Sequence, residues 1–237
     1  MVTEKEKGPE TILIVDDDSE IREILRILLC RNGFIVKEAA DAKEALLKLD
    51  SSIDLIILDV MMPGQSGVEL CKELRKTIMI PILFLSAKTR DADKEEGFLC
   101  GGDDYLIKPF SSVELISRVK ALLRRYLVYQ THKNPHELRE ICSGELCANL
   151  DTGEVFIAGQ NIVLTSTEYQ ILQLLLRNRK KVFSARELYE YVWQEPFLPL
   201  SNNTIMAHVK NLRKKLREVS EDSQYIHTAW GKGYYIE

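Results

Sequence analysis

The chain has 237 residues, 45% of them hydrophobic and 29% charged, with a formal net charge of −4. That composition belongs to a folded globular protein and excludes a disordered or membrane-embedded one, and the length suits two small domains. The charge is unevenly placed: 19 basic and 23 acidic residues lie up to Arg125, against 11 of each from Ile141 onward, so any nucleic-acid contact in the second half needs a local basic patch.

Met1–Glu10 is a charged tail without the apolar run of a signal peptide. Residues 11–125 then alternate strand and helix signals. Buried-type strands are expected at Thr11–Val15, Phe34–Val36, Ile53–Leu58, Pro81–Leu85 and Tyr105–Ile107. Between them, Asp41/Glu44, Ser66/Glu69 and Ser111/Glu114 have capping-box spacing, and Ile21, Leu25 and Leu28 form one apolar stripe. Five such units predict an α/β domain: a doubly wound, five-stranded parallel sheet with helices on both faces. Residues 126–140, with Asn134-Pro135, read as a linker. In 141–237, short strands from Ile141 to Leu164 precede helices at Thr165–Arg177, Ser184–Trp193 and Asn202–Glu218. A hairpin around Gly231-Lys232-Gly233 closes a winged helix-turn-helix. The five cysteines form no CxxC pair and read as small buried hydrophobes in a reducing, cytoplasmic setting, and no apolar run is long enough for a membrane.

Ligands of an open parallel sheet sit at the carboxyl ends of its strands. The first strand runs into Asp16-Asp17-Asp18, the third ends in Asp59, the fourth in Ser86, and the fifth is followed by Lys108-Pro109. Clustered carboxylates need a cation, and Mg²⁺ suits them. Asp59 would then act as a carboxylate nucleophile and become an acyl phosphate, with Lys108 and Ser86 facing the phosphoryl oxygens. Asp18 reads as a helix cap. A haloacid-dehalogenase-like phosphatase, with Asp16-x-Asp18 as its motif, is the competing enzyme reading; it leaves Asp59 idle and the second domain unexplained.

On the helix Asn202–Glu218, Val209, Leu212 and Leu216 line up with Ile205, while Asn203, Ala207, Lys210, Asn211 and Lys214 fall opposite. As a recognition helix in a major groove, Asn203 and Asn211 suit adenine, Lys210 guanine and Ala207 a thymine methyl, with Arg213 and Lys214 on phosphates. Trp230 and Lys232 at the hairpin tip could reach a minor groove.

The segments ILIVDDD, LIILDVMMPGQSG, PILFLSAK, GGDDYLIKPF, NTIMAHVKNLRKKL and YIHTAWGKGYYIE resemble two-component response regulators of the OmpR/PhoB branch. The resemblance implies a CheY-like receiver and a transcription regulator rather than an enzyme. It further implies phosphorylation of Asp59 by a sensor histidine kinase and Mg²⁺ on Asp16, Asp17, Asp59 and the Met61 carbonyl. Ser86 and Tyr105 would rearrange, and Lys108 would pair with the phosphoryl group across a cis bond to Pro109. Phosphorylation would form a homodimer through the helix after Ser86, strand five and the last receiver helix, using Lys94, Asp103, Asp104, Glu114 and Arg118. Promoter DNA and RNA polymerase follow as partners, with DNA contacts from Thr204, His208, Arg213, Thr228 and Tyr234. The chain departs from the pattern at Gly102 (usually Ala) and at Asn203 and Trp230 (often Arg). SNNTI, HVKNLRKKL and TAWGKGY look most like regulators of vancomycin-resistance operons, with a phosphate or envelope-stress regulator as the alternative.

Overall fold

The computed structural model describes residues 8–86, 100–131, 140–150, 152–194, 197, 201–220 and 224–237. The first half contains β1 (Thr11–Val15), α1 (Ser19–Arg31), β2 (Ile35–Ala39), α2 (Ala42–Lys48), β3 (Ile53–Asp59), α3 (Gly67–Leu74), β4 (Ile82–Ser86), β5 (Asp104–Ile107) and α4 (Ser112–Thr131). The second contains β6 (Glu140–Ser143), β7 (Leu146–Asn149), β8 (Val155–Ile157), β9 (Gln160–Ile162), α5 (Ser166–Arg177), α6 (Ala185–Trp193), α7 (Ser201–Val219), β10 (Ile226–Ala229) and β11 (Gly233–Ile236).

The first five strands form one parallel sheet in the order β2-β1-β3-β4-β5. Successive strand residues face opposite sides, so Leu55 and Ile57 pack with Leu25, Leu115 and Val119, while Ile56 and Leu58 pack with Leu70 and Leu74. Both faces are covered, which explains strands without polar alternation.

Helix starts follow the sequence closely. Ser66/Glu69, Thr165/Glu168 and Ser184/Glu187 are complete capping boxes. Asp41 makes half of one: its carboxylate accepts from the Glu44 amide, while Glu44 accepts from Ala40 instead. α4 continues to Thr131, so a helix occupies the first residues of the expected linker. β6–β9 form an antiparallel sheet and β10–β11 the terminal hairpin. The core of this half joins Leu146, Leu172, Leu188, Ile205, Leu212 and Ile226. No helix among the described residues is long and apolar enough to cross a membrane.

The cysteine expectation needs correction. Cys142 and Cys147 are joined as a disulfide, and Cys30 is exposed; only Cys71 and Cys100 are buried.

Candidate phosphoryl-acceptor and DNA-reading sites

Because β1 and β3 are neighbours in register, Val15 opposite Leu58, their carboxyl ends deliver Asp16 and Asp59 to one edge. Carboxylate oxygens of Asp16, Asp17 and Asp59 lie within 4.8 Å of one another, with Asp17 exposed and the other two buried at 1% and 5% exposure. Lys108 Nζ donates to Asp16 Oδ2 at 2.7 Å and lies 3.2 Å from Asp59 Oδ1. The peptide bond to Pro109 is cis. The Lys108 amide donates to the carbonyl of fully buried Ser86 at 2.8 Å, which joins the ends of β4 and β5.

Burial pushes the Asp59 carboxyl up to about 6; Lys108 opposes the rise and the Asp16 and Asp17 charges add to it. Burial alone would lower the Lys108 ammonium, but its bonds to Asp16 and Asp59 outweigh that and raise it. Among the described residues the site therefore holds three carboxylates and one ammonium, an oxygen donor set that fits a hard divalent cation. The half-exposed Met61 places its backbone on the loop after β3. That loop folds back so that the Gly67 amide donates to the Val60 carbonyl, and a Cβ on Gly67 would collide with the Asp59 carbonyl. Gly67 was not singled out from the sequence; its place at the mouth of the motif was the available signal.

Asp18 caps α1, accepting from the Glu20 and Ile21 amides. It is thereby turned away from the acidic cluster, against the dehalogenase-like reading. Tyr105 is buried beside Phe84, with ring centroids 6.2 Å apart.

Of the residues expected on the dimer face, Arg118, Asp104 and Glu114 pair with one another within the chain. Arg118 grips both Asp104 oxygens at 3.0 Å and also donates to Glu114, all within one chain. Asp103 is buried and turned elsewhere: one oxygen accepts from Arg75 at 2.8 Å, the other from the hydroxyl of Thr167 on α5 at 3.0 Å. Lys94 lies outside the described residues.

The Asp103–Thr167 bond belongs to a seam between the two halves. Ala207, expected on the outer face of α7, is 2% exposed and packs in the receiver cluster that contains Tyr105 and Phe84. Asn211 is buried as well, and it lines a cavity of about 570 Å³ with Arg75, Lys76, Lys214 and Lys215. The face opposite the Ile205 stripe is therefore only partly closed in this arrangement, at Ala207 and Asn211. Thr204 and His208 are buried too, His208 against Trp193. Arg213 does not project freely: it donates to the Ile226 carbonyl and the Thr228 hydroxyl and lies over the Tyr234 ring. These three residues, expected to contact DNA, fasten α7 to the wing. Lys210 and Lys214 are exposed, as are Lys232 and, at 91%, Trp230. The Asn203 side chain lies outside the described residues.

Known proteins agree with this architecture. Residues 12–120 match the family Response regulator receiver domain, and residues 159–236 match Transcriptional regulatory protein, C terminal. The chain is 47% identical over 223 residues to an uncharacterized transcriptional regulatory protein, YrkP, of Bacillus subtilis, covering 94% of this chain and 96% of that one. It is 41% identical to the regulatory protein VanR of Enterococcus faecium, covering 96% and 99%. A solved structure of a RitR mutant has the same fold, with a TM-score of 0.74 at 24% identity over 96% of this chain and 99% of that one. With a receiver sheet ending in an acidic cluster and a C-terminal winged helix, the chain belongs to the OmpR/PhoB family of two-component response regulators, which control transcription.

Proposed function

We propose that Asp59 accepts a phosphoryl group from the phosphohistidine of a sensor kinase, and that this releases α7 from the receiver to read promoter DNA. The observation that carries the reading is the single Lys108 ammonium shared by Asp16 and Asp59 at the carboxyl edge of the sheet. An Asp59 oxygen bonds to phosphorus as the donor's P–N bond breaks, and the leaving imidazole takes a proton from water. Lys108 can then turn from the carboxylates to a phosphoryl oxygen, with the Ser86 hydroxyl on the neighbouring strand facing another. Asp16, Asp17 and Asp59, with the Met61 carbonyl, would hold Mg²⁺. The bound ion supplies the charge neutralisation that lets a carboxylate meet an anionic donor.

In the docked arrangement Ala207 packs on the receiver and Asn211 lines a cavity shared with it, so receiver and DNA compete for part of one face of α7. Weakening that contact raises the DNA-competent fraction and with it the apparent affinity. A phosphorylation-driven homodimer, with RNA polymerase as partner at the promoter, completes the reading; its receiver contacts require the Arg118–Asp104–Glu114 set to be remade across two chains. Similarity to VanR supports a vancomycin-resistance-type operon as the target.

Acetyl phosphate with Mg²⁺ should add one group of about 80 Da. Peptide mass spectrometry should place it on Asp59, and Asp59→Asn should remain unlabelled. Label on Asp16, or undiminished labelling of the variant, would overturn the assignment.

A further inference from the structure

β6 and β7 are joined by the two-residue turn Gly144–Glu145, which sets Cys142 directly opposite Cys147. Opposed residues of an antiparallel pair share a sheet face, and here their sulfurs are bonded. That face is the outer one. Leu146 and Ala148 on β7 point into the core, while Cys142 is exposed and Cys147 and the β8 neighbour Phe156 are half-buried. Solvent therefore reaches the bond.

The fold does not depend on this cross-link. Leu146, Ala148, Val155 and Ile157 are fully buried and the β6–β9 ladder is continuous. A bond between residues five apart also closes too short a loop to constrain the unfolded chain much. A Glu140 carboxylate oxygen lies within 4.8 Å of the sulfurs, and Arg179 Nη1 donates to the Cys142 backbone carbonyl at 3.3 Å. The hairpin is in turn fastened to the wing. The Ser143 hydroxyl and Arg179 Nε both donate to the Glu237 carbonyl, at 2.8 and 2.7 Å, immediately after β11.

We propose that Cys142 and Cys147 form a reversible thiol–disulfide site, exchanging with low-molecular-weight disulfides, and that its state sets how firmly the wing strand β11 is held. In the oxidising direction one cysteine thiolate attacks a disulfide RSSR, forming a mixed disulfide and releasing RS⁻. The second thiolate attacks the protein sulfur of that mixed disulfide and releases the other RS⁻. Two electrons pass from the protein sulfurs to RSSR, and the two thiol protons end on two RSH. The site stands apart from the phosphoryl acceptor and does not depend on it.

The full-length protein is equilibrated in glutathione buffers from fully reduced to fully oxidised, quenched with N-ethylmaleimide and digested. Peptides with Cys142 and Cys147 should carry two labels at the reduced end and one intramolecular bond at the oxidised end, through a single transition. The exposed Cys30 should give only a glutathione adduct, as should Cys147 in Cys142→Ser. Amide hydrogen exchange at Tyr234–Ile236 should be several-fold faster in the reduced protein. A bond that never forms, one that survives the most reducing buffer, or separate glutathione adducts on both cysteines would overturn the site. So would a reduced pair that retains added Zn²⁺ and resists oxidation. Equal exchange of β11 in both states would overturn the link to the wing.

Discussion

Asp59→Asn is expected to make the protein more stable at pH 7, by about 1–3 kcal/mol in the presence of a chelator. Burial and the neighbouring Asp16 and Asp17 charges hold the folded Asp59 carboxyl up to about 6, against an ordinary value of 3.8. Between those values the folded state binds a proton that the unfolded state has released, so folding loses stability as pH rises through the window. Asparagine keeps the shape and carries no charge, which removes that loss. The gain should be full above pH 6, shrink as pH falls and vanish below about pH 4, where both states of the parent are protonated. Urea unfolding of parent and variant at pH 4, 5, 6 and 7.5 measures it. A stability difference that does not change with pH would mean that Asp59 is not held in a charge-poor pocket. Adding Mg²⁺ should stabilise the parent selectively and narrow the gap, because the cation supplies what asparagine makes unnecessary.

Thr167→Val should raise the DNA affinity of the unphosphorylated protein about tenfold and leave the phosphorylated protein unchanged. The Thr167 hydroxyl is the donor to Asp103 Oδ1 across the seam, and both side chains are buried there. Valine fills the same volume but leaves a charged oxygen without its donor, a loss of about 1–3 kcal/mol that falls on the docked form alone. Thr165, not Thr167, caps α5, so the helix itself keeps its start. Fluorescence anisotropy on a duplex selected with phosphorylated protein gives both affinities. Equal affinity for parent and variant, or the same rise in both phosphorylation states, would show that the seam does not restrain α7.

The receiver was legible because each level of its sequence agrees. Apolar runs of strand length, capping boxes and acidic strand ends all placed the same five units, and the register of β1 with β3 then brings Asp16 to Asp59. Helical periodicity found the Ile205–Leu216 stripe, since that face packs within its own domain. It could not find the burial of Ala207, because the surface covering it belongs to another domain, far away in sequence. The same distance hid Asp103, whose partners are Arg75 and Thr167 rather than Arg118. The cysteine pair was within reach: reading Gly144-Glu145 as a two-residue turn sets Cys142 against Cys147 by counting outward.

The seam also has an order in time. Arg75 and Asp103 precede Thr167 and Ala207 in the chain, with about 100 residues between Asp103 and Ala207. At roughly 5–20 residues per second, the ribosome takes about 5–20 seconds to cover that distance. The five-stranded sheet is complete in sequence once Ile107 is made, so it can form before α7 exists. Ala207 thus meets the receiver surface that covers it as α7 emerges, so the seam can close as soon as that helix is made.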